Sequence, residues 1–225
     1  MKKSILFSVL AFSTALALVG CKSNQNEPEA GGSSDGKSNG HEYVNLGLSV
    51  KWATCNVGAN SHDGYGNYYA WGETATKASY DWDTYFDVPP GYEGIKYSGD
   101  TVLVTEDDAA HVNWGGSWRM PTEAEWQELL DNCTWTWTTQ NGINGYKVTS
   151  NKAGYTNKFI FLPAAGLRFD SNLEDVGSHG YYWSSSLSKY NMRNPYGLYF
   201  NLISPDLNDI CGERCFGQSV RSVLP

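Results

Sequence analysis

Between Asn208 and Arg221 the chain reads NDICGERCFGQSVR, which places Cys211 and Cys215 four positions apart beside Asp209, Glu213, Arg214 and Phe216. Cysteines this close could share a metal, cycle as a dithiol or supply a nucleophile. A zinc site needs two further ligands. The other candidates are Cys55, Cys133, His41, His62, His111 and His179, and none of them forms a paired spacing. A redox dithiol prefers C-x-x-C at a helix start, whereas no helical periodicity follows Cys215. Ser186-Leu187-Ser188-Lys189 matches S-x-x-K but lacks the S-D-N and K-T-G phrases that complete that catalytic set. Glu106, Asp107 and Asp108 lack the ligand spacing of a calcium loop and suit the start of a short helix, Asp108 to Val112, as caps. The expectation is therefore no metal, no cofactor and no catalytic residue.

The elements that must carry these residues are mostly short. In WGGSWRMPTEAEWQELLDN, Thr122 is an N-cap and Glu125 sits three positions on, a capping box. Glu123 and Glu125 place negative charge in the first turn, where the helix dipole favours it. Trp126, Leu129, Leu130 and Cys133 then fall on one apolar face, which predicts a helix of about ten residues. Trp135 and Trp137 alternate with threonines at the period of a strand. Further strands are expected at Tyr146–Ser150, Phe159–Ala165, Tyr181–Leu187, Leu198–Leu202 and Gln218–Val223. Tyr43–Leu46 and Ser49–Ala53 suit an opening hairpin around Gly47. One or two helices against small antiparallel sheets with long ordered loops make an α+β class. Trp71, Trp82, Trp114, Trp118, Trp135 and Trp137 could offer a sugar-stacking platform, although packing accounts for most such rings.

The ends divide the chain. Lys2 and Lys3, the apolar run Ile5 to Val19 and the small residue Gly20 before Cys21 describe a lipoprotein signal over residues 1–20, with Cys21 acylated. Residues 21–41 contain no large apolar side chain and suit a flexible tether of roughly 25 Å reach. The ordered domain is expected over 42–225. Removing Lys2 and Lys3 takes the formal charge from -8 to -10, and no Lys/Arg cluster exists. Nucleic acid is an unsuitable partner for such a surface. Membrane contact is expected through the lipid anchor alone, in the cell envelope and at the outer membrane.

Arg119-Met120-Pro121-Thr122-Glu123-Ala124-Glu125-Trp126 resembles the RLPTEAEW helix start of formylglycine-generating enzymes and other members of the C-type-lectin-like fold. More closely, EYVNLGLSVKWATCNVGA, GNYYAWGE, DDAAHVNWGGSWRMPTEAEWQELL, FLPAAG, YYWSSSL and GQSVR resemble a group of lipoproteins of gut anaerobes. Some of that group are similar to the variable proteins of diversity-generating retroelements. The resemblance implies a C-terminal segment, ending near a Gly-x-x-x-Arg phrase, that is rewritten at adenine-containing codons to vary a ligand-binding face. It also raises an oxidase alternative, since formylglycine generators use a C-terminal cysteine pair. Here Cys215 stands two residues before Gly217, whereas in that family the pair lies well upstream of the closing phrase. Calcium-dependent sugar binders of the fold carry Glu-Pro-Asn or Gln-Pro-Asp, and the nearest phrase here is Asn194-Pro195-Tyr196.

From Leu202 to Cys211 the residues follow neither a period of two nor one of 3.6, as if each were independent of its neighbours. From Asn201 to Phe216 every residue except Glu213 is reachable by rewriting an Asn codon. Cys211 and Cys215 are then passengers of an exposed surface. Aromatic and Arg positions anchor most interfaces, which selects Tyr190, Arg193, Tyr196, Tyr199, Ile210, Arg214 and Phe216, with Asn201, Ser204, Asp206 and Asn208 as adaptable polar contacts. Tyr199 and Asn201 share one face of their strand, opposite Leu198, Phe200 and Leu202. The expected function is binding of a protein or glycan ligand on another cell or surface. The alternatives are an oxidase-like relative of the formylglycine generators and a structural or fimbria-associated lipoprotein.

Overall fold

The computed structural model describes residues 34–85, 102–190, 193–208 and 212–225. Cys21, expected to be acylated, most of the stretch read as tether, Ile210 and Cys211 lie outside the described residues. The architecture is α+β, two helices among small antiparallel sheets. Strands β1 (Gly36–Ser38), β2 (His41–Val44) and β3 (Lys51–Asn56) form an antiparallel run, and β12 (Arg221–Leu224) pairs with β3 to complete a four-stranded sheet. The expected opening hairpin forms, with Tyr43 opposite Ala53, Val44 opposite Trp52 and Gly47 at a φ of 71°. Order begins earlier than residue 42, because β1 belongs to the stretch read as tether. It is held there by β2 and by the Trp118 indole, which donates to the Ser38 carbonyl at 2.9 Å.

Helix α1 (Ala109–Trp114) is capped by Asp108, whose carboxylate accepts from the Ala110, His111 and Met120 amides. Helix α2 (Glu123–Asn132) closes the Thr122–Glu125 capping box as read from the sequence. Glu125 also accepts a two-pronged bond from Arg119 at 2.8 and 2.5 Å, which fixes the entry to the helix. Trp126 and Leu129 are fully buried, and Cys133 ends that apolar face as the first residue of a strand. Strands β4 (Cys133–Gln140), β5 (Ile143–Ser150) and β6 (Phe159–Pro163) make a second antiparallel sheet. A short hairpin follows, β7 (Leu167–Phe169) and β8 (Asn172–Glu174). The third sheet has the order β11-β10-β9, from β9 (Gly180–Leu187), β10 (Pro195–Phe200) and β11 (Pro205–Asn208).

Two expectations for this region fail. The segment after Leu202 is not irregular throughout, since β11 pairs residue for residue with β10. Nor does Leu202 share the packing of Leu198 and Phe200: β10 ends at Phe200, and Leu202 is 65% exposed in the turn. A four-residue strand with one inward apolar side chain, Leu207, is too short to print an alternation. Of the tryptophans, Trp71, Trp114 and Trp118 are buried, while Trp82, Trp135 and Trp137 are half-buried.

Three sheets meet at one buried group. The Arg221 guanidinium donates to Asn56 Oδ1 at 2.9 Å, to the Ala53 carbonyl at 3.0 Å and to the Phe161 carbonyl at 2.8 Å. Asn56 donates to the Tyr182 hydroxyl, which donates to the Pro163 carbonyl at 2.7 Å. β12, β3, β6 and β9 are thereby tied by side chains that water does not reach. Arg221→Met keeps the volume but strips buried acceptors of their donors, each omission costing about 1–3 kcal/mol. Urea unfolding followed by tryptophan fluorescence should register a loss of roughly 3 kcal/mol, with Arg221→Lys intermediate because one ammonium cannot span the fork.

Buried neutral groups also set an alkaline limit. Burial pushes the Cys133 and Cys215 thiols and the Tyr68 phenol up to about 12. In the unfolded chain these groups release protons at their ordinary, lower values, so stability is complete below about pH 9 and falls as pH rises toward 12. Each thiol contributes a decline of up to about 1.4 kcal/mol per pH unit in that window. Urea midpoints measured at pH 8, 10 and 11 should fall in sequence, and Cys215→Ala should flatten the slope.

Candidate ligand-binding groove

The outer face of the third sheet carries a short aromatic ladder. Tyr199 on β10 stands opposite Tyr181 on β9 and opposite Asp206 on β11, so one row crosses all three strands. Alternation sends their neighbours inward: Leu198, Phe200 and Tyr182 have no exposed surface. Phe200 packs over its cross-strand partner Gly180, where an added Cβ would lie 2.1 Å from the ring. The strand is therefore bolted down from behind, and its outward side chains are held by short-range contacts. The Tyr181 and Tyr199 ring centroids are 5.3 Å apart with planes at 52°. His179 stacks against both, at 6.2 and 5.8 Å. The Tyr181 hydroxyl donates to Asp175 at 2.9 Å, and the Asn201 amide donates to the Tyr199 hydroxyl at 3.1 Å.

Leu167 and Phe216 face this ladder and close a groove of about 480 Å³, also lined by Asp206, Asn208 and Gly212. Phe216 is steadied edge-on by Phe169 of β7, centroid to centroid 4.9 Å. The absence of a side chain at Gly212 makes room for the Gln218 amide, whose nitrogen lies 2.9 Å from a Cβ placed there. The groove thus has two phenol faces, one phenyl face, a carboxylate and a carboxamide. That set suits stacking and hydrogen bonding, and the described lining residues include no nucleophile.

Four of the residues expected to contact a ligand, Tyr199, Asp206, Asn208 and Phe216, meet here. Asn201 supports them through Tyr199, and Ser204 lies exposed in the adjoining turn. Tyr190 is 90% exposed and stands apart. Arg193 pairs with Glu213 at 3.3 Å and lies over the Trp82 ring at 4.8 Å. Tyr196 is half-buried, with its carbonyl accepting from Ser184. Two assignments are corrected. Arg214 is buried, its guanidinium 4.8 Å from the Trp71 ring centroid, and its carbonyl accepts from the Trp71 amide. Cys215 is no surface passenger: it is sealed among Tyr68, Ala70, Tyr80, Tyr85 and Ala165. Tyr181, Leu167 and His179 were missed as site residues. The first had a signal, since it is the outward residue of an expected strand beside the Tyr199 strand.

A larger hollow of about 610 Å³ lies near β2 and β3, beside His41, Glu42, Thr54, Cys55 and His62. Its chemistry is muted. His41 stacks on Trp114 at 3.9 Å, and burial raises the Cys55 thiol above its ordinary value. Among the described residues no three His, Cys, Asp or Glu side chains converge as metal ligands would. Nor is any described helix long and apolar enough to cross a membrane. Comparison of the chain with protein-family models, with curated proteins and with solved structures finds no match.

Proposed function

We propose that this is an envelope lipoprotein, anchored through Cys21, whose C-type-lectin-like domain binds a protein or glycan on another cell or surface through the groove beside Tyr199. The observation that carries the reading is the convergence of Tyr199, Asp206, Asn208 and Phe216 on one groove over a sheet packed rigidly from behind. Fixed aromatic faces give contact area at low ordering cost, and loop residues on a stiff scaffold can differ without refolding it. The capping box of α2 and the two helices against small antiparallel sheets suit the C-type-lectin-like class.

On this reading diversification is confined to outward positions. Tyr199, Asn201, Ser204, Asp206, Asn208 and Phe216 can change, whereas Arg214 and Cys215 sit in the core and are constrained. The burial of Cys215 also weighs against the oxidase alternative, because the thiolate is the reactive form and this thiol is held up to about 12. A reverse transcriptase gene and a near-copy of the segment's coding sequence beside this locus would support diversification; their absence would reduce the proposal to a fixed binding face.

The test is to screen the full-length protein, reconstituted in liposomes, against glycan and protein arrays beside a variant with Tyr199, Asp206, Asn208 and Phe216 all replaced by Ala. Asp206→Ala and Asn208→Ala should cost about 0.5 kcal/mol each, and loss of the half-buried Tyr199 and Phe216 rings about 1 kcal/mol each. The unfolding midpoint should therefore fall by roughly 6–12 °C with the folded state retained, while array signals fall at least tenfold. Signals that survive the fourfold replacement would remove the groove from the binding role.

A further inference from the structure

We propose that the groove accepts an organic cation, an ammonium or guanidinium group carried by the ligand. The inference rests on the binding-face reading above and specifies the chemistry of what is bound.

Three aromatic faces and one carboxylate define the groove. Tyr181 and Tyr199 are neighbours on one row, centroids 5.3 Å apart and planes at 52°, with His179 stacked against both and Phe216 across the groove. Aromatic faces are the negative ends of ring quadrupoles and attract a cation within about 6 Å of the centroid. Asp206 is the one formally charged residue among the described lining residues. Its oxygens accept from the Leu207 amide at 2.9 Å and the Asn208 amide at 3.2 Å, and a carboxylate retains lone pairs for another donor. The Tyr181 hydroxyl donates a hydrogen bond to Asp175 at 2.9 Å, which enriches that ring in electron density.

Charge around the groove has the same sign. Asp170, Glu174, Asp175 and Asp206 are all exposed, and the whole chain carries a formal -8. The arginines of the surrounding segments are turned over other rings: Arg168 over Tyr68, Arg193 over Trp82 and Arg214 over Trp71. A neutral sugar would stack best on a flat platform. A cation set against the groove-side edges and faces of these rings is drawn both by them and by the Asp206 carboxylate on the same row, a gain a neutral sugar does not share.

The full-length protein would be titrated by calorimetry at low ionic strength with choline and with an Arg-containing pentapeptide. The controls are 3,3-dimethylbutan-1-ol, the uncharged isostere of choline, and maltoheptaose. At least one cation should bind, with the isostere at least about tenfold weaker. Binding of choline alone points to a lipid-type headgroup as the source, and binding of the peptide alone points to a protein. Tyr199→Phe keeps the ring face and should stay within about threefold, whereas Tyr199→Leu and Asp206→Asn should each weaken the cation about tenfold. Far-ultraviolet circular dichroism and a cooperative thermal transition should be retained in all three variants. Equal binding of choline and its isostere, failure of both cations to bind, or cation binding indifferent to Tyr199→Leu and Asp206→Asn would each overturn the proposal. Maltoheptaose binding that depends on Tyr199 would overturn the cation while leaving the groove as a recognition site, which the array comparison tests separately.

Discussion

The structure turns on a guanidinium that meets no carboxylate among the described residues. Arg221 is fully buried, and removal from water lowers the pKa of even this strongly basic group. What makes the burial tolerable is the number of oxygens aimed at it: an amide oxygen on β3 and carbonyls of β3 and β6. A planar fork of donors can satisfy acceptors from two sheets at once, which a lysine cannot. Asn56 then passes the link to Tyr182 of β9, so the third sheet is fixed relative to the other two. Because Arg221 opens β12, the same contact sets where the preceding residues run. The backbone from Gly217 to Ser219 bonds to Arg168, Tyr69, Tyr181 and Trp183, threading between β7 and β9 on the way to the anchor.

From that frame the division between core and face follows by alternation. β10 has two sides with opposite duties: Leu198 and Phe200 fill the interior with Tyr182, while Tyr199 looks outward with Tyr181 and Asp206. A period of two lets one strand be fixed in packing on one side and open to substitution on the other. The segment after Gly212 works differently. Phe216 reaches the groove, yet Arg214 and Cys215 turn into separate aromatic pockets, so neighbouring residues there are exposed or sealed without a regular period.

This explains what could and could not be read from the sequence. Helix α2 was legible because its start and its apolar face are both local, and Thr122, Glu125, Trp126 and Leu129 suffice. The opening hairpin and the main strands of the second and third sheets were legible as short apolar and aromatic runs between turn residues, with alternation marking Trp135 and Trp137 of β4. Strands β7, β8 and β11 were not, being three or four residues long with little buried surface. Cys215 was misread for a deeper reason. Its neighbours come from residues 68–85 and from Ala165, and nothing near Cys215 in the chain announces them. Arg214 likewise meets Trp71 only through the fold. Half of the groove was visible as a list of outward aromatics and polar residues, whereas its other half, Tyr181 and Leu167, required knowing which strands are neighbours.

The distribution of groove residues along the chain has a consequence for how recognition can vary. Leu167 and Tyr181 precede the C-terminal segment and share backbone contacts with residues that hold Arg168, Gly217 and Ser219 in place. Tyr199, Asp206, Asn208 and Phe216 arrive later, on β10, β11 and the loop beyond. A diversified segment would thus rewrite one side of the groove against a constant side, keeping one aromatic face while exchanging its partner. Ring spacing is set by the strand ladder and not by loop conformation, so a replaced Tyr199 leaves Tyr181 and Asp206 where they were. Variation of that kind alters which group fits the groove without altering where the groove is, and a rigid frame centred on Arg221 is the physical condition for it.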